Sequence, residues 1–431
     1  MTQPFRLAAG GIVDRAHPLR FMFDGAPLGG YAGDTLASAL VANGIHLVGR
    51  SFKYHRPRGI FSAGAEEPSA LVQLARGART EPNMRATTVE LHDGLVAASQ
   101  NCWPSVRFDI GAVNNLLSRF IPAGFYYKTF MWPPSPAWWL RYEHWIRRAA
   151  GMGRSATAPD PDPYAHRYAH CDVLVVGGGL AGLAAARAAA SAGARVVVCD
   201  ENPRWGGGVV GDRLVVDGVP AARWIDDATQ ALAAAGATLL ARTTAFGYYD
   251  GNLVGAVERV TDHLAERPVH APRQRLWMIR AKSVVLASGA HERGIAYANN
   301  DLPGTMLAHA AHTYVARYGA KPGTRAVVFA NHDGAYADAL ALHAAGVDIA
   351  AIVDARSGAA QAGWPARARD AGLPILAGAV VARAQGGQRV AAVDVATHGT
   401  HTRRRVDCDL VCVSGGFNPA VHLFSQARGK L

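Results

Sequence analysis

The stretch CDVLVVGGGLAGLAAARAAASAGARVVVCDEN, residues 171–202, constrains the fold of this chain more than any other. An apolar run, Val173–Val176, enters Gly177-x-Gly179-x-x-Gly182; an alanine-rich segment follows, and a second apolar run ends at Asp200. The short β-branched runs read as strands and the alanine-rich segment as a helix. Each glycine has its own duty in such a turn. Gly177 makes the tight corner, Gly179 lets backbone approach a pyrophosphate, and Gly182 lets the helix pack on the strand. The helix N-terminus offers N–H groups and a positive dipole end to phosphates. Asp200, at the end of the second strand, stands where a carboxylate takes the ribose hydroxyls of an adenosine. Glu201 beside it disfavours a 2′-phosphate and so argues against NADP, while NAD and FAD both stay open on this motif.

Two later runs fit the same α/β architecture. SVVLASGAHE leads a strand into Ser288-Gly289-Ala290, and CDLVCVSGGFNP leads one into Ser414-Gly415-Gly416. Small residues there suit the carboxyl edge of a parallel sheet. Between them, GTRAVVFANHDGAYADALALHAAGVDIAAIVDAR is again strand, turn, helix, strand, ending at Asp354. Its turn reads Ala330-Asn331-His332-Asp333-Gly334-Ala335, without the glycines for backbone approach and with Asp333 where a pyrophosphate would sit. The sequence therefore predicts two dinucleotide-type folds and one working site.

The N-terminal part differs in kind. FMFDGAPLGG reads as a hairpin about Asp24-Gly25. DTLASALVANGI reads as a helix with Asp34 as N-cap and Gly44 as its stop. SALVQLA and TTVEL read as strands, which together suggest a small β-grasp domain over 1–95. Residues 96–170 are rich in aromatics and prolines and read as a connector and linker; large exposed aromatics there would suit a partner surface. The boundaries drawn are 171–302 for the dinucleotide domain, completed by 405–431, and 303–404 for the second, degenerate one.

Composition excludes several classes. Half the 431 residues are hydrophobic and 18% are charged, which suits a globular chain. The net charge of +11 is scattered and follows no nucleic-acid-binding motif, so no nucleic-acid partner is expected. The five cysteines, at 102, 171, 199, 408 and 412, form no CxxC, which argues against thiol–disulfide chemistry. No apolar run reaches the length of a membrane span, so a cytoplasmic protein without membrane contact is expected. No metal-ligand set is read from the sequence.

Six stretches together carry a resemblance: FDGAPLGGYAGDTLASALVANG, GRSFKYHRPRGIFSAGAEEPSALV, GFYYKTFM, CDVLVVGGGLAGLAAA, NNDLPGTML and SGGFNPAVHLFSQARGKL. With them the chain resembles the α subunits of heterotetrameric sarcosine oxidases. The resemblance implies a ferredoxin-like N-terminal domain followed by a two-dinucleotide-domain module that binds NAD. It further implies a folate-binding C-terminal domain, which would make a chain stopping at Leu431 a fragment. The NAD contacts it implies are Gly177, Gly179, Ala181, Gly182, Asp200 and Glu201, with Leu423 and Ser425 as a closing strap, and no catalytic residue in this chain. It implies β, γ and δ subunits as partners, FAD in the β subunit, and FMN at the α/β interface, where the basic run Lys53–Arg58 could face a phosphate. Related dehydrogenase α subunits hold a [2Fe-2S] cluster in the loop that here runs through Ser62, Glu67 and Ala70, with a further ligand near Thr87. None of these is a thiolate, so no [2Fe-2S] cluster is expected. Alternatives are the α subunit of an iron–sulfur amine or opine dehydrogenase or cyanide synthase, and a non-catalytic NAD-binding scaffold.

Overall fold

The structure, a computed structural model, describes residues 3–121, 131–212, 214–358, 362–399 and 403–430; most of GFYYKTFM falls outside them. The chain forms two compact units, 1–160 with 293–416 and 161–292 with 417–431.

In the first unit, strands Asp14–Phe23 and Ala26–Ala32 pair antiparallel around Asp24-Gly25. Both turn residues have positive φ, 50° and 81°, as the tight hairpin turn requires. The helix Leu36–Ala42 follows with all its residues buried, and Gly44 turns the chain out of it at φ 76°. Its N-cap is Thr35, in a capping box with Ser38, and not the expected Asp34. Asp34 is engaged elsewhere: its carboxylate accepts from Arg6 at 2.6 and 3.1 Å, from the Ser38 hydroxyl at 2.6 Å and from the Tyr31 N–H at 2.9 Å. The expected strand TTVEL is also displaced. The strand is Glu81–Arg85, and Thr88 turns back on the Arg85 carbonyl, leaving Glu90 one isolated bridge to Thr35. Five strands make a mixed sheet in the order 26–32, 14–23, 95–99, 71–74, 81–85, with 14–23 parallel to 95–99. This is a β-grasp arrangement.

The same unit holds a parallel sheet in the order Thr305–Leu307, Leu410–Ser414, Arg325–Ala330, Asp348–Asp354, Ile375–Ala377. The sequence boundaries put 405–431 with the other sheet, but Leu410–Ser414 pairs between 305–307 and 325–330. Central parallel strands are apolar on both faces, so their pattern does not reveal which sheet they join. One buried cluster runs from Phe21, Leu40 and Val72 to Tyr314, Val328 and Tyr336, so the β-grasp sheet and the parallel sheet share a core.

The second unit is built on six strands in the order Thr238–Leu240, Val196–Cys199, Tyr164–Val176, Gln274–Leu286, Leu253–Arg259, Thr243–Tyr249. The first four are parallel and the last two add an antiparallel hairpin. The strand starts at Tyr164, inside the segment read as linker; its first residues are mostly exposed and follow prolines, which hides them from pattern reading. No described helix is long and apolar enough to cross a membrane.

Asp34→Ala should destabilise the first unit by about 3–5 kcal/mol, because it strands the Arg6 guanidinium in a buried site. Urea denaturation followed by far-UV circular dichroism measures it; a loss under 1 kcal/mol would contradict this account of the helix entry.

Candidate dinucleotide site

The glycine turn sits where the parallel strands of the second unit end. Gly177, at φ 106°, donates its N–H to Cys199 O at 2.8 Å, so the turn is tied to the next strand. A Cβ on Gly177 would overlap the Ala287 carbonyl, and one on Gly182 would overlap the Gly177 carbonyl. These two positions are closed to side chains by backbone. Gly179 is different. It caps the helix Leu180–Ser191 with no side-chain bond, and an added Cβ would meet only the Gly207 Cα at 4.0 Å. Gly179 thus borders open space, as approach by a ligand requires. The first-turn N–H groups of a helix have no intrahelical acceptor, and exposed Ala181 lies in that turn.

Asp200 is buried, and its carboxylate accepts from the Gly178 N–H at 2.6 Å and from the Asn202 backbone N–H at 2.7 Å and side-chain amide at 3.1 Å. It therefore clips the glycine turn to the end of the second strand before any ribose is considered. Glu201 next to it is exposed. Leu423 is buried in the core of the unit, with Leu174, Val197 and Ile279, while Ser425 is exposed on the short helix His422–Gln426. Leu423 is thus placed to anchor that helix, and Ser425 is not brought to the glycine turn by any described bond.

A second glycine loop was missed. Trp205-Gly206-Gly207 lies along the first turn: Gly206 N–H donates to Gly178 O at 2.8 Å, and the Trp205 ring fills the space a Gly178 side chain would take. Gly206 and Gly207 both have positive φ. The signal was legible as three successive glycines just after Asp200-Glu201. Past the strand Gln274–Leu286, Ala287 N–H bonds Val176 O, and the Ser288 hydroxyl bonds Ala420 O at 3.0 Å, which closes this edge with the hairpin-like pair Ala290–Glu292 and Phe417–Pro419.

The corresponding place in the first unit is filled by the chain itself. Asp354, the counterpart of Asp200, is fully buried and takes the Tyr336 hydroxyl at 2.7 Å and Arg356 at 2.8 and 3.0 Å. Arg356 also reaches Asp333 at 2.7 Å. The cation beside the degenerate turn is spent on its two acids. The thiols are structural too: burial pushes Cys199 and Cys408 up to about 12 and Cys171 to about 11, so all three stay protonated at neutral pH.

The loop Lys53–Ala70 is organised by charge. Arg56 donates to Asp301 at 2.6 Å from Nε and 2.6 Å from Nη2, and Arg58 pairs with the same carboxylate. The cations expected to face a flavin phosphate are thereby matched within the unit. Glu67 is buried, and its carboxylate accepts four backbone N–H groups, from Phe61 at 2.9, Ser62 at 2.6, Ser69 at 2.7 and Ala70 at 2.9 Å. Burial pushes its carboxyl up against the pull of those donors. Thr87 ties the loop through Gly64 O at 2.7 Å. The Ser62 hydroxyl is buried without a partner among the described residues.

A parallel sheet with an intact glycine turn and its acid defines a nucleotide-binding oxidoreductase fold. Residues 171–431 match the family model of the pyridine nucleotide-disulphide oxidoreductases, and the chain belongs to that family. It is similar to sarcosine oxidase subunit alpha of Rhizobium meliloti (strain 1021), with 51% identity over 99% of this chain and 42% of the relative. Sarcosine oxidase subunit alpha of Corynebacterium sp. (strain U-96) is 40% identical over 100% of this chain and 41% of its own length. The chain spans about two fifths of the length of these relatives. Among solved structures, L-proline dehydrogenase from P. horikoshii aligns with all of the chain and 65% of its own, at TM-score 0.64 and 18% identity, a likeness of fold.

The match of residues 16–102 to a 2Fe-2S iron-sulfur cluster binding domain overturns the expectation that the chain holds no [2Fe-2S] cluster. The β-grasp domain is of the 2Fe-2S type. Thiolates are the usual ligands of such a cluster, and Cys102 is the one cysteine of residues 16–102.

Burial alone would push Asp301 up, but the guanidiniums of Arg56 and Arg58 hold it at about 2. A carboxyl depressed on folding stabilises above its unfolded value and loses that stability as pH falls through its folded value. The stability gap between the wild type and Asp301→Asn should therefore be constant above pH ~5 and narrow as pH drops from about 4 toward 2. Denaturant titrations at a series of pH values read this; a gap that widens on acidification would contradict the pairing.

Proposed function

We propose that this chain forms the α-subunit portion of a sarcosine oxidase-type complex, in which the N-methyl group of sarcosine is oxidised away to leave glycine with oxygen as acceptor. Its own tasks are to hold one dinucleotide, NAD or FAD, in the second unit and to dock on β, γ and δ partner subunits through the first. The observation that carries this reading is 51% identity along 99% of the chain to a sarcosine oxidase α subunit. The glycine turn supports the cofactor part: one turn is open at Gly179, and the other is filled by Arg356 and its acids. When bound, a dinucleotide of this type supplies a ring that carries hydride.

The chain's own residues do the holding. Gly179 leaves room for the pyrophosphate, and the first-turn N–H groups after it donate to the phosphate oxygens. Asp200 keeps the turn in register and turns its remaining acceptor capacity toward the ribose. Glu201 adds acidic character at the adenosine end. On this reading the amine-oxidising groups lie in a partner subunit, and sarcosine oxidation needs the assembled complex.

Docking is supported by the first unit's surface. Trp103, Phe120, Trp132 and Trp145 are 68%, 79%, 76% and 67% exposed, more large aromatics than a monomer's surface ordinarily carries in one sequence region. Trp is the residue type that most often anchors an interface.

Nucleotide extraction from the denatured wild-type chain should yield one dinucleotide per chain, and liquid chromatography tells NAD from FAD. Gly182→Val should abolish retention, since its side chain collides with backbone, while leaving the first unit's unfolding transition in place. A wild-type chain free of dinucleotide under gentle purification would sink the cofactor reading.

Co-expression with candidate partner subunits should give sarcosine-dependent peroxide release that the chain alone lacks. Trp132→Ser with Trp145→Ser should lower co-purification at least tenfold without loss of bound dinucleotide. Unchanged assembly would remove the aromatic face from the reading.

A further inference from the structure

A cluster of metal-ligating side chains lies apart from the dinucleotide turn, on two neighbouring helices of the first unit. Ala308–Tyr318 follows the edge strand Thr305–Leu307, and Gly334–Ala344 follows the degenerate turn. His309 and His312 are three residues apart, on one face of the first helix. Asp338 lies one turn into the second. The Nδ1 atoms of both histidines converge on a single oxygen of Asp338, at 3.4 Å from His309 and 2.9 Å from His312. The three donor atoms lie within 4.8 Å of one another.

We propose that His309, His312 and Asp338 bind one divalent transition-metal ion of the zinc class. In a tetrahedral zinc site with metal–ligand bonds of 2.0–2.1 Å the ligand atoms stand about 3.3 Å apart. The two nitrogen–oxygen separations straddle that value, so small side-chain rotations make room for an ion. Two imidazoles and a carboxylate suit Zn²⁺, Fe²⁺, Ni²⁺ or Cu²⁺ and disfavour Ca²⁺ and Mg²⁺, which take oxygen ligands. Three protein ligands leave one position for water or for a group brought by a partner.

Burial separates this trio from a solvated acid–histidine pair. The Asp338 side chain is 8% exposed, and the imidazoles of His309 and His312 are 36% and 19% exposed. An ion can reach the imidazoles from the surface and rest on a carboxylate that solvent does not screen. The ion would clamp the two helices at the carboxyl side of the parallel sheet, where both helices begin.

The test uses the untagged chain, stripped with a chelator and dialysed. Zn²⁺ titrated against a chromogenic chelator should bind at one per chain. Co²⁺ in its place should give the visible d–d absorption of a four-coordinate site, which an ion pair of histidines and aspartate cannot produce. His309→Ala and His312→Ala sit on partly exposed positions and should keep the fold. Each should lower Zn²⁺ affinity about 100-fold or more, since loss of a group that only hydrogen-bonds to a metal ligand already costs about 10–100-fold. Asp338→Asn should do the same, with far-UV circular dichroism checking its fold. Zinc should also raise the thermal midpoint of the wild type and not of the two histidine variants. Failure of the wild type to bind Zn²⁺ or Co²⁺, or affinity unchanged in both histidine variants, would overturn the proposal.

Discussion

Helix and strand meet in the second unit only because residue 182 has no side chain. A Cβ there would occupy the Gly177 carbonyl, and one at Gly177 would occupy the Ala287 carbonyl. Three backbone segments are thus stacked with nothing between them: the turn, the helix start and the end of the strand Gln274–Leu286. Everything else at the site is arranged around that stack. Asp200 holds it from one side through Gly178, and Trp205 with Gly206 closes it from the other. The only member left open is Gly179, and that opening gives the fold its place for a ligand.

The first unit shows the opposite solution with a similar frame. Its strand–turn–helix has Asp333 and His332 where the glycines would be, and Arg356 bridges Asp333 and Asp354 across the vacated place. The N-terminal loop follows the same logic. Glu67 collects four N–H donors that would otherwise be orphaned in a buried loop, and Asp301 collects the loop's two arginines. In each case an acidic side chain of the chain itself satisfies the donors, backbone N–H groups at Glu67 and guanidiniums at Asp301, Asp333 and Asp354.

The parts legible in the sequence were those set by local rules. The Asp24-Gly25 hairpin, the helix stop at Gly44 and the strand–glycine–helix of residues 173–191 all rest on turn chemistry or on period. What was illegible depends on contacts distant in the chain. Asp34 looks like an N-cap until Arg6 reaches it, and Leu410–Ser414 looks like any buried parallel strand until its neighbours are known. Trp205-Gly206-Gly207 was visible as a glycine run, but a role for it appears only once it lies beside Gly178. The converging nitrogens of His309 and His312 carry a helical spacing that could have been read, while the third member comes from another helix. Cysteine count alone pointed away from a cluster at the loop, whereas the match of residues 16–102 to a 2Fe-2S cluster binding domain rests on the whole β-grasp pattern, which a count of one residue type does not capture.

The first unit is written in two pieces, 1–160 and 293–416, with most of the second unit between them. Its parallel sheet has Leu410–Ser414 inserted between Thr305–Leu307 and Arg325–Ala330. On a ribosome, therefore, the β-grasp strands emerge early, yet the helices and strands that share their core, among them Tyr314, Val328 and Cys412, arrive only after the whole of 161–292 has been made. The apolar face of the β-grasp sheet must wait uncovered through that interval, and closure of long sequence separations is slow. Exposed apolar surface in partly made chains is a route to misassembly. The second unit's sheet, contained within 164–286, is free to form during the wait. Synthesis thus lets the second unit's sheet form before the first unit's core is complete, while the helix that carries Leu423 into the second unit's core follows the first unit's last strand.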